Sequence, residues 1–500
     1  IPVEYEEGEL AYLLQVEVRY TTGLPDTYSL PVAFIKGDAV THYEVNYPKS
    51  IICEVLFGEG RSVVIDAMSN VNFTTYLFTQ MAANQRTQLN RGALHFLSGK
   101  NLQNLNCDPS RAKSRLLSLE QSNTSVLYTY KDENDKEHEF FFKLYRKLEY
   151  GLNPELELVR FLSENTDFEN SPSFSGGLEF RETPSSQPLI FGLLQEKIAN
   201  QGDAWPLMLD SLDRYYQQVL VKNGNKTAPK KLIKKQAITF EDIPVSHQKL
   251  ITSLTYERVT KLAKRTAEMH LALASDDINS AFKPEGFSLY YQRSLYSAHR
   301  KLVDDKFSLL KKRLNDLPKA IKPTAEQVLN MNDAILASFK QIFSQKIEAC
   351  KTRVHGDYHL GQVLFNGKDF IIIDFEGEPN ATMGERRLKR TPFKDVAGML
   401  RSFHYAAYGK ILMDKNYQKK DSATMQSWAA LWYHYISRFF LKTYFETVGN
   451  ASFIPEKEEE KQLLLRTYLL EKAVYEMGYE LGSRPEWLVI PLTGILDIME

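Results

Sequence analysis

The sequence predicts an α+β chain with a β-rich N-terminal part and a mainly helical remainder. Three observations predict it. Apolar and polar residues alternate with the strand period through much of the first ~200 positions. Helix-period patterns dominate from about Trp205 onward. One stretch between them in character, VHGDYHLGQVLFNGKDFIIIDFEGEP from Val354 to Pro379, gathers glycine, acids and a β-branched run ending in Asp374-Phe375-Glu376-Gly377. A chain of 500 residues is long for one core. We expect a cap over 1–112, a small lobe over 113–200 and a helical lobe over 201–500.

Composition narrows the class. Hydrophobic content of 43% and charged content of 25% are globular averages. A net charge of -1 argues against a general nucleic-acid or polyanion partner. Cys53, Cys107 and Cys350 are far apart and odd in number, which suits a reducing, cytoplasmic setting and small buried thiols. No apolar run approaches the ~20 residues of a membrane helix. The opening IPVEYEEGEL has neither an initiator Met nor the form of a signal peptide, so the chain is expected to be part of a longer one.

Taken in order, Leu14 to Phe34 reads as a hairpin around TTGLPD, and Ile51 to Phe57 and Ser62 to Ile65 as two short strands. From Asn72 to Ser98 the pattern turns helical. Val126 to Tyr130 and Glu139 to Tyr145 flank an acidic turn. Asn153-Pro154 then starts a helix with Glu155 and Glu157 in its first turn, where negative charge suits the N-terminus. A strand from Pro188 to Leu194 leads into QEKIANQGDAW. The lysine-rich insertion 223–235 reads as a solvated loop. Glu257 to Ala274, Ser288 to Leu314, Thr324 to Cys350, Met425 to Val448 and Glu456 to Leu481 read as long amphipathic helices.

The central stretch has the order a phosphoryl-transfer site needs. Asp357 of His-Gly-Asp is the candidate base, because a hydroxyl is a poor nucleophile until a carboxylate orients it and takes its proton. His355 braces that loop. Gln362 and Asp374 offer oxygen ligands of the kind hard Mg²⁺ prefers, and Mg²⁺ accompanies ATP. Glu376 and Glu378 are either supporting carboxylates or ordinary loop residues. Upstream, Lys143 on a strand and Glu157 on the following helix could pair to hold the lysine toward phosphates, with Glu155 as the rival partner. Strand, lysine, helix, strand and linker are the order of a kinase small lobe. Gln121, Ser122, Asn123, Thr124 and Ser125 stand where a phosphate-covering loop would lie, although no glycine is present. The linker residues Gln195, Glu196 and Ile198 are placed to offer backbone groups to adenine. His270 reads as structural, and ERRLKR (Glu385 to Arg390) as a loop beside the acceptor.

With these residues in place, the chain resembles the maltokinases, of the aminoglycoside-phosphotransferase-like branch of the protein-kinase fold. The matching stretches include EQSNTSV, FKLYRKLEYGLNPELEL, LLQEKIANQGDAW, HGDYHLGQVL, IDFEGEP, ERRLKRTPFKDVAGMLRSFHYAA and YEMGYELGSRPEWLVIPLTGIL, in order from about residue 120 to the end. VEVRYTTGLPDTYSLPVAF resembles the family's cap, while the short motif expected before it is missing. The resemblance implies a bilobal fold, ATP as donor, and maltose as an acceptor phosphorylated at its anomeric hydroxyl for glycogen synthesis. It also implies a fused or associated trehalose synthase domain. It makes His359, Lys472, Tyr475, Glu476 and Arg484 candidates for the sugar, although Tyr468, Tyr475 and Tyr479 read equally as a packing face. A kinase for glucosamine or an aminoglycoside is the alternative, and a regulatory pseudokinase a further one. Asp374 and Glu376 make a poor glycosidase pair, since both lie on one strand.

Overall fold

The structure, a computed structural model, describes residues 1–57, 60–105, 108, 111–117, 123–132, 134–224, 226–229, 238–418 and 422–500. The chain divides into an N-terminal unit (1–199 with 380–386) and a C-terminal unit (200–379 with 387–500).

The N-terminal unit carries two antiparallel sheets. In the first, Pro2–Glu6, Glu9–Val18, Asp26–Lys36, Gly60–Asp66 and Ile51–Phe57 lie side by side, and Lys147–Leu148 joins Asp26–Lys36. The expected hairpin is there, with Leu14 opposite Leu30. The second sheet runs, in spatial order, Arg86–Gln88, Ala93–Ser98, Phe174–Arg181, Leu189–Glu196, Glu137–Tyr145, Asn123–Lys131 and Lys113–Leu116. The helix Val71–Ala82 covers it, burying Phe73, Leu77, Phe78 and Met81, and the Phe78 ring centroid lies 4.8 Å from that of Tyr128.

The helix expected from Asn72 to Ser98 is therefore half right. It ends at Ala82, and Asn84 adopts the left-handed conformation that asparagine tolerates. ALHFLS then alternates as a strand, drawn into the sheet by pairing with Phe174–Arg181. Residues 86–98 thus supply two strands to the sheet that also holds Lys143. Cys53 is exposed on Ile51–Phe57 and Cys350 is half-buried, so neither is the buried thiol expected, while Cys107 lies outside the described residues. Gln121, Ser122 and most of the lysine-rich insertion also lie outside them.

The C-terminal unit is helical. Leu289–Arg313, Lys322–Asn330, Asn332–Lys340, Glu458–Ser483 and Val489–Met499 pack around Val303, Phe307, Val328, Phe339, Val474 and Ile495. The long helix expected over Thr324 to Cys350 is broken twice. Met331 leaves helical geometry between two asparagines, and the last turn ends at Phe343. The fully buried Gln292 side chain donates to the freed carbonyls of Ile342 and Gln345, which makes the stop affordable in a dry interior. Cys350–Lys351 then pairs with Glu285–Gly286. Ser253–Leu273, Ser422–Val448 and Glu458–Ser483 match the expected helices within a few residues. Among the described residues no helix is long and apolar enough to cross a membrane.

Candidate functional site

The central stretch folds as a loop, one 3-10 turn and a short hairpin. Val363–Phe365 pairs with Phe370–Ile372, and the Ile373 amide donates to the Gln362 carbonyl at 3.0 Å. That closure places Asp374 directly after the hairpin, in a left-handed conformation (φ 64°). Its Oδ2 accepts from Gln362 Nε2 at 2.7 Å. Gln362 and Asp374 thus bring an amide oxygen and a carboxylate together as hard oxygen donors. That donor set fits Mg²⁺ and suits neither soft metals nor zinc.

A buried network anchors the preceding loop. Asp395, in the first turn of Phe393–Met413, accepts from the backbone amides of His355 (2.7 Å) and Gly356 (2.9 Å). The same carboxylate contacts His270 Nε2 at 3.1 Å, and His270 Nδ1 contacts the Tyr444 hydroxyl at 2.8 Å. Burial opposes ionisation of Asp395, yet His270, His355 and the Gly356 amide bring its pKa below the usual carboxylate value. His355 donates from Nε2 to the Ile373 carbonyl at 2.9 Å, linking the loop to the hairpin end. Gly398 lets the helix approach, since a Cβ there would lie 2.5 Å from the Tyr358 carbonyl oxygen. Sequence reasoning found His355 and the structural His270 but missed Asp395. The available signal was an acid in the first turn of a largely buried helix.

Asp357 lies at the wall of a cavity of about 170 Å³. Lys472 Nζ stands 3.4 Å from Asp357 Oδ1, and His359 Nε2 3.9 Å from Oδ2. Burial opposes the Lys472 ammonium, but Asp357, Glu378 and Glu476 outweigh it and raise its pKa, so it stays charged. Burial keeps His359 neutral at pH 7, with its pKa below the usual histidine value. Tyr475 also lines the cavity, with the Lys472 ammonium 5.3 Å from its ring centroid. Further wall residues that sequence reasoning missed are His299, Lys394 and Glu471. Burial works against the Glu471 carboxylate, but His299, Lys394 and Arg390 bring its pKa down to about 2.

Other sugar candidates lie elsewhere in this unit. Glu476 is held by Arg401 at 2.8 and 2.9 Å, and its pKa is raised by burial. Arg484 pairs with Glu480 at 2.8 Å and stacks over Trp487. Neither lines the cavity. Tyr468 and Glu378 do, whereas Tyr479 is exposed. In the run Glu385 to Arg390, Arg386 pairs with Glu149, and Lys389 is buried against Glu285 and the Ser280 carbonyl.

In the N-terminal unit, Lys143 sits mid-strand opposite Ser125 and Leu193. Its ammonium lies 3.2 Å from Glu155, the rival named from sequence, and Tyr145 donates to the same carboxylate at 2.7 Å. Asn153 caps the helix by accepting from the Glu155 and Leu156 amides, which sets Glu155 facing the strand. Glu157 is buried two residues on. Asn123, Thr124 and Ser125 belong to a strand and not to a loop, and Arg146 donates to Thr124 Oγ1 at 2.8 Å. The Ser125 hydroxyl is buried and unbonded. Gln195 and Glu196 end Leu189–Glu196, where the Glu196 and Lys197 amides donate to Ser173 and Glu139, and Ile198 follows.

No protein-family model matches the chain. It is 26% identical over 146 residues to the glucosamine kinase of Streptacidiphilus jiangxiensis, covering 29% of this chain and 31% of that protein. It is 29% identical over 150 residues to the glucosamine kinase of Mycolicibacterium smegmatis (strain ATCC 700084 / mc(2)155), covering 29% and 34%. The chain thus spans about a third of the length of the curated relatives it matches. Among solved structures, a glucosamine kinase in complex with glucosamine, ADP and inorganic phosphate superposes with a TM-score of 0.64 at 16% identity, covering 100% of this chain and 93% of that one. A second crystal form of glucosamine kinase gives 0.65, with 99% and 92% covered. The chain therefore has the kinase-like α+β fold of those structures.

Proposed function

We propose that this chain is an ATP-dependent sugar kinase with Asp357 as its base. The observation that carries the reading is Asp357 at the wall of a small cavity, with the hydrogen-bonded Gln362–Asp374 pair following it in the same folded stretch. The acceptor hydroxyl gives its proton to Asp357 as its oxygen forms the new bond to phosphorus, and the bond from phosphorus to ADP breaks. Lys472 orients the Asp357 carboxylate from 3.4 Å, and Tyr475 offers a ring against which a pyranose packs. Gln362 and Asp374 would hold Mg²⁺, which supplies charge neutralisation for the phosphates. Lys143, fixed by Glu155, is assigned to the phosphates, with Glu157 and the 121–125 segment supporting it and Gln195 to Ile198 offered to adenine.

For the acceptor we propose maltose, phosphorylated at its anomeric hydroxyl, on the strength of the sequence resemblance. With it come a role in glycogen synthesis, a trehalose synthase partner and a cytoplasmic setting. A second reading, glucosamine, is favoured by the relatives and by size. A cavity of about 170 Å³ is below the ~300 Å³ at which drug-sized sites begin, and suits one pyranose better than two. ATP consumption with maltose, maltotriose, glucose, trehalose and glucosamine, with NMR of the product, separates the two. Maltose 1-phosphate as the fastest product supports the first, and faster turnover of glucosamine replaces it with the second. No phosphorylation of any sugar would remove both.

A further inference from the structure

A large concavity lined by residues of the N-terminal unit lies far in sequence from any residue assigned to catalysis. It is a groove of about 730 Å³ whose wall includes six aromatic side chains: Tyr5, Tyr12, Phe34, His42, Tyr43 and Tyr47. We propose that this groove binds a neutral oligosaccharide.

The wall has the two surfaces that such a ligand needs. Phe34 is 39% exposed and stands edge to face with Tyr12 at 6.3 Å, while His42, Tyr43 and Tyr47 form a cluster with centroids 5.6–6.0 Å apart. Rings with a polar tip pack on the C–H faces of pyranoses and reach their hydroxyls at the edge. Amide and carboxylate groups stand among them. Asn70 Nδ2 donates to the Tyr5 hydroxyl at 3.2 Å, and Asn72 Nδ2 to Glu6 at 3.1 Å. Tyr43, 8% exposed, belongs to the same wall, and its hydroxyl has no hydrogen-bond partner among the described residues.

Charge and size define the ligand class. Glu6, Glu9 and Lys36 all belong to the wall, so the charges among its described residues do not favour a phosphorylated or acidic polymer. The volume is about four times the 170 Å³ of the acceptor cavity, which sets an oligomer against a single ring. Such a groove would bind a glycan on the N-terminal unit without being the acceptor site.

Calorimetric titration of the full chain, without ATP, with maltoheptaose, cellohexaose and chitohexaose tests this. We expect saturable binding of at least one of them, and the linkage that binds identifies the source. Phe34→Ala and Tyr12→Ala should each weaken it tenfold or more, and Tyr43→Phe, which keeps the ring, should weaken it severalfold. Asp357→Ala should bind as tightly as wild type, which separates the groove from the acceptor cavity. Turnover of small sugars by Phe34→Ala should be unchanged, so failure of the kinase reading leaves this test intact. Circular dichroism establishes that each variant is folded. Absence of binding for all three glycans at millimolar concentration overturns the proposal, as does wild-type binding by all three groove variants or loss of binding in Asp357→Ala.

Discussion

Asp357 and Asp374 are both acids in one loop-hairpin unit, yet their surroundings separate their tasks. Asp357 faces an ammonium and a cavity, whereas Asp374 turns back on the Gln362 amide. Asp357→Asn keeps the shape and removes the proton acceptor, so kcat should fall by roughly 10²–10⁴ with an unchanged melting curve. An ATP-consumption assay beside a thermal melt checks this, and wild-type turnover would remove Asp357 from its role. Asp374→Asn should instead abolish magnesium-dependent turnover while the protein stays folded. A magnesium titration of the folded variant that still follows the wild-type curve would exclude it as a ligand. Both residues were legible in the sequence because their motif is local: a turn, then a β-branched run ending in an acid. Asp395 was not, because its partners are backbone amides 39 and 40 positions earlier, and amides leave no mark in a sequence. The cavity residues His299 and Glu471 were missed for a similar reason. They come from separate long helices and meet only by packing.

At the scale of elements, the helix Pro154–Asn165 joins cap chemistry to site chemistry. Asn153 accepts from the amides of Glu155 and Leu156, and Glu155 in turn holds Lys143. Asn153→Ala should cost about 1 kcal/mol, a fall in Tm of roughly 2–4 °C for a domain of this size. It should also raise KM for ATP more than it changes KM for the sugar, because the first turn carries the lysine's partner. Equal effects on both KM values would make the cap purely structural. This helix was readable because Asn, Pro and two acids occur at its start, all local signals. The misread elements show the converse. Phe96 and its neighbours became strand because Phe174–Arg181 lay alongside, and the Thr324 to Cys350 helix stopped where Gln292 could take its carbonyls. Tertiary partners decided both, and neither partner is near in sequence.

At the scale of the whole molecule, two carboxylates of the C-terminal unit tie its stability to pH. In the C-terminal unit, Asp395 is fully enclosed by His270 and two backbone amides, and Glu471 is brought down to about 2 by His299, Lys394 and Arg390. In the N-terminal unit Asp26 and Asp132 also have lowered pKa values, but near the surface, where solvent screens them, while the buried Glu155 is held by Lys143 and Tyr145. A carboxylate whose folded pKa lies below its unfolded value contributes stability above the unfolded value, about 4.3 for Glu and 3.9 for Asp. That contribution is lost as pH falls toward the folded pKa, about 2 for Glu471. Acid should therefore loosen the C-terminal unit, and the residues around Asp395 most. Hydrogen exchange at pH 7 and at pH values between 4.5 and 3, corrected for the intrinsic rate, should show Phe393–Met413 losing protection. Unchanged protection there down to pH 3 would mean that the enclosed Asp395 network does not govern acid stability. The same experiment on Asp395→Ala checks the cause, since that variant should already show the weakened Phe393–Met413 at pH 7 and little further change on acidification.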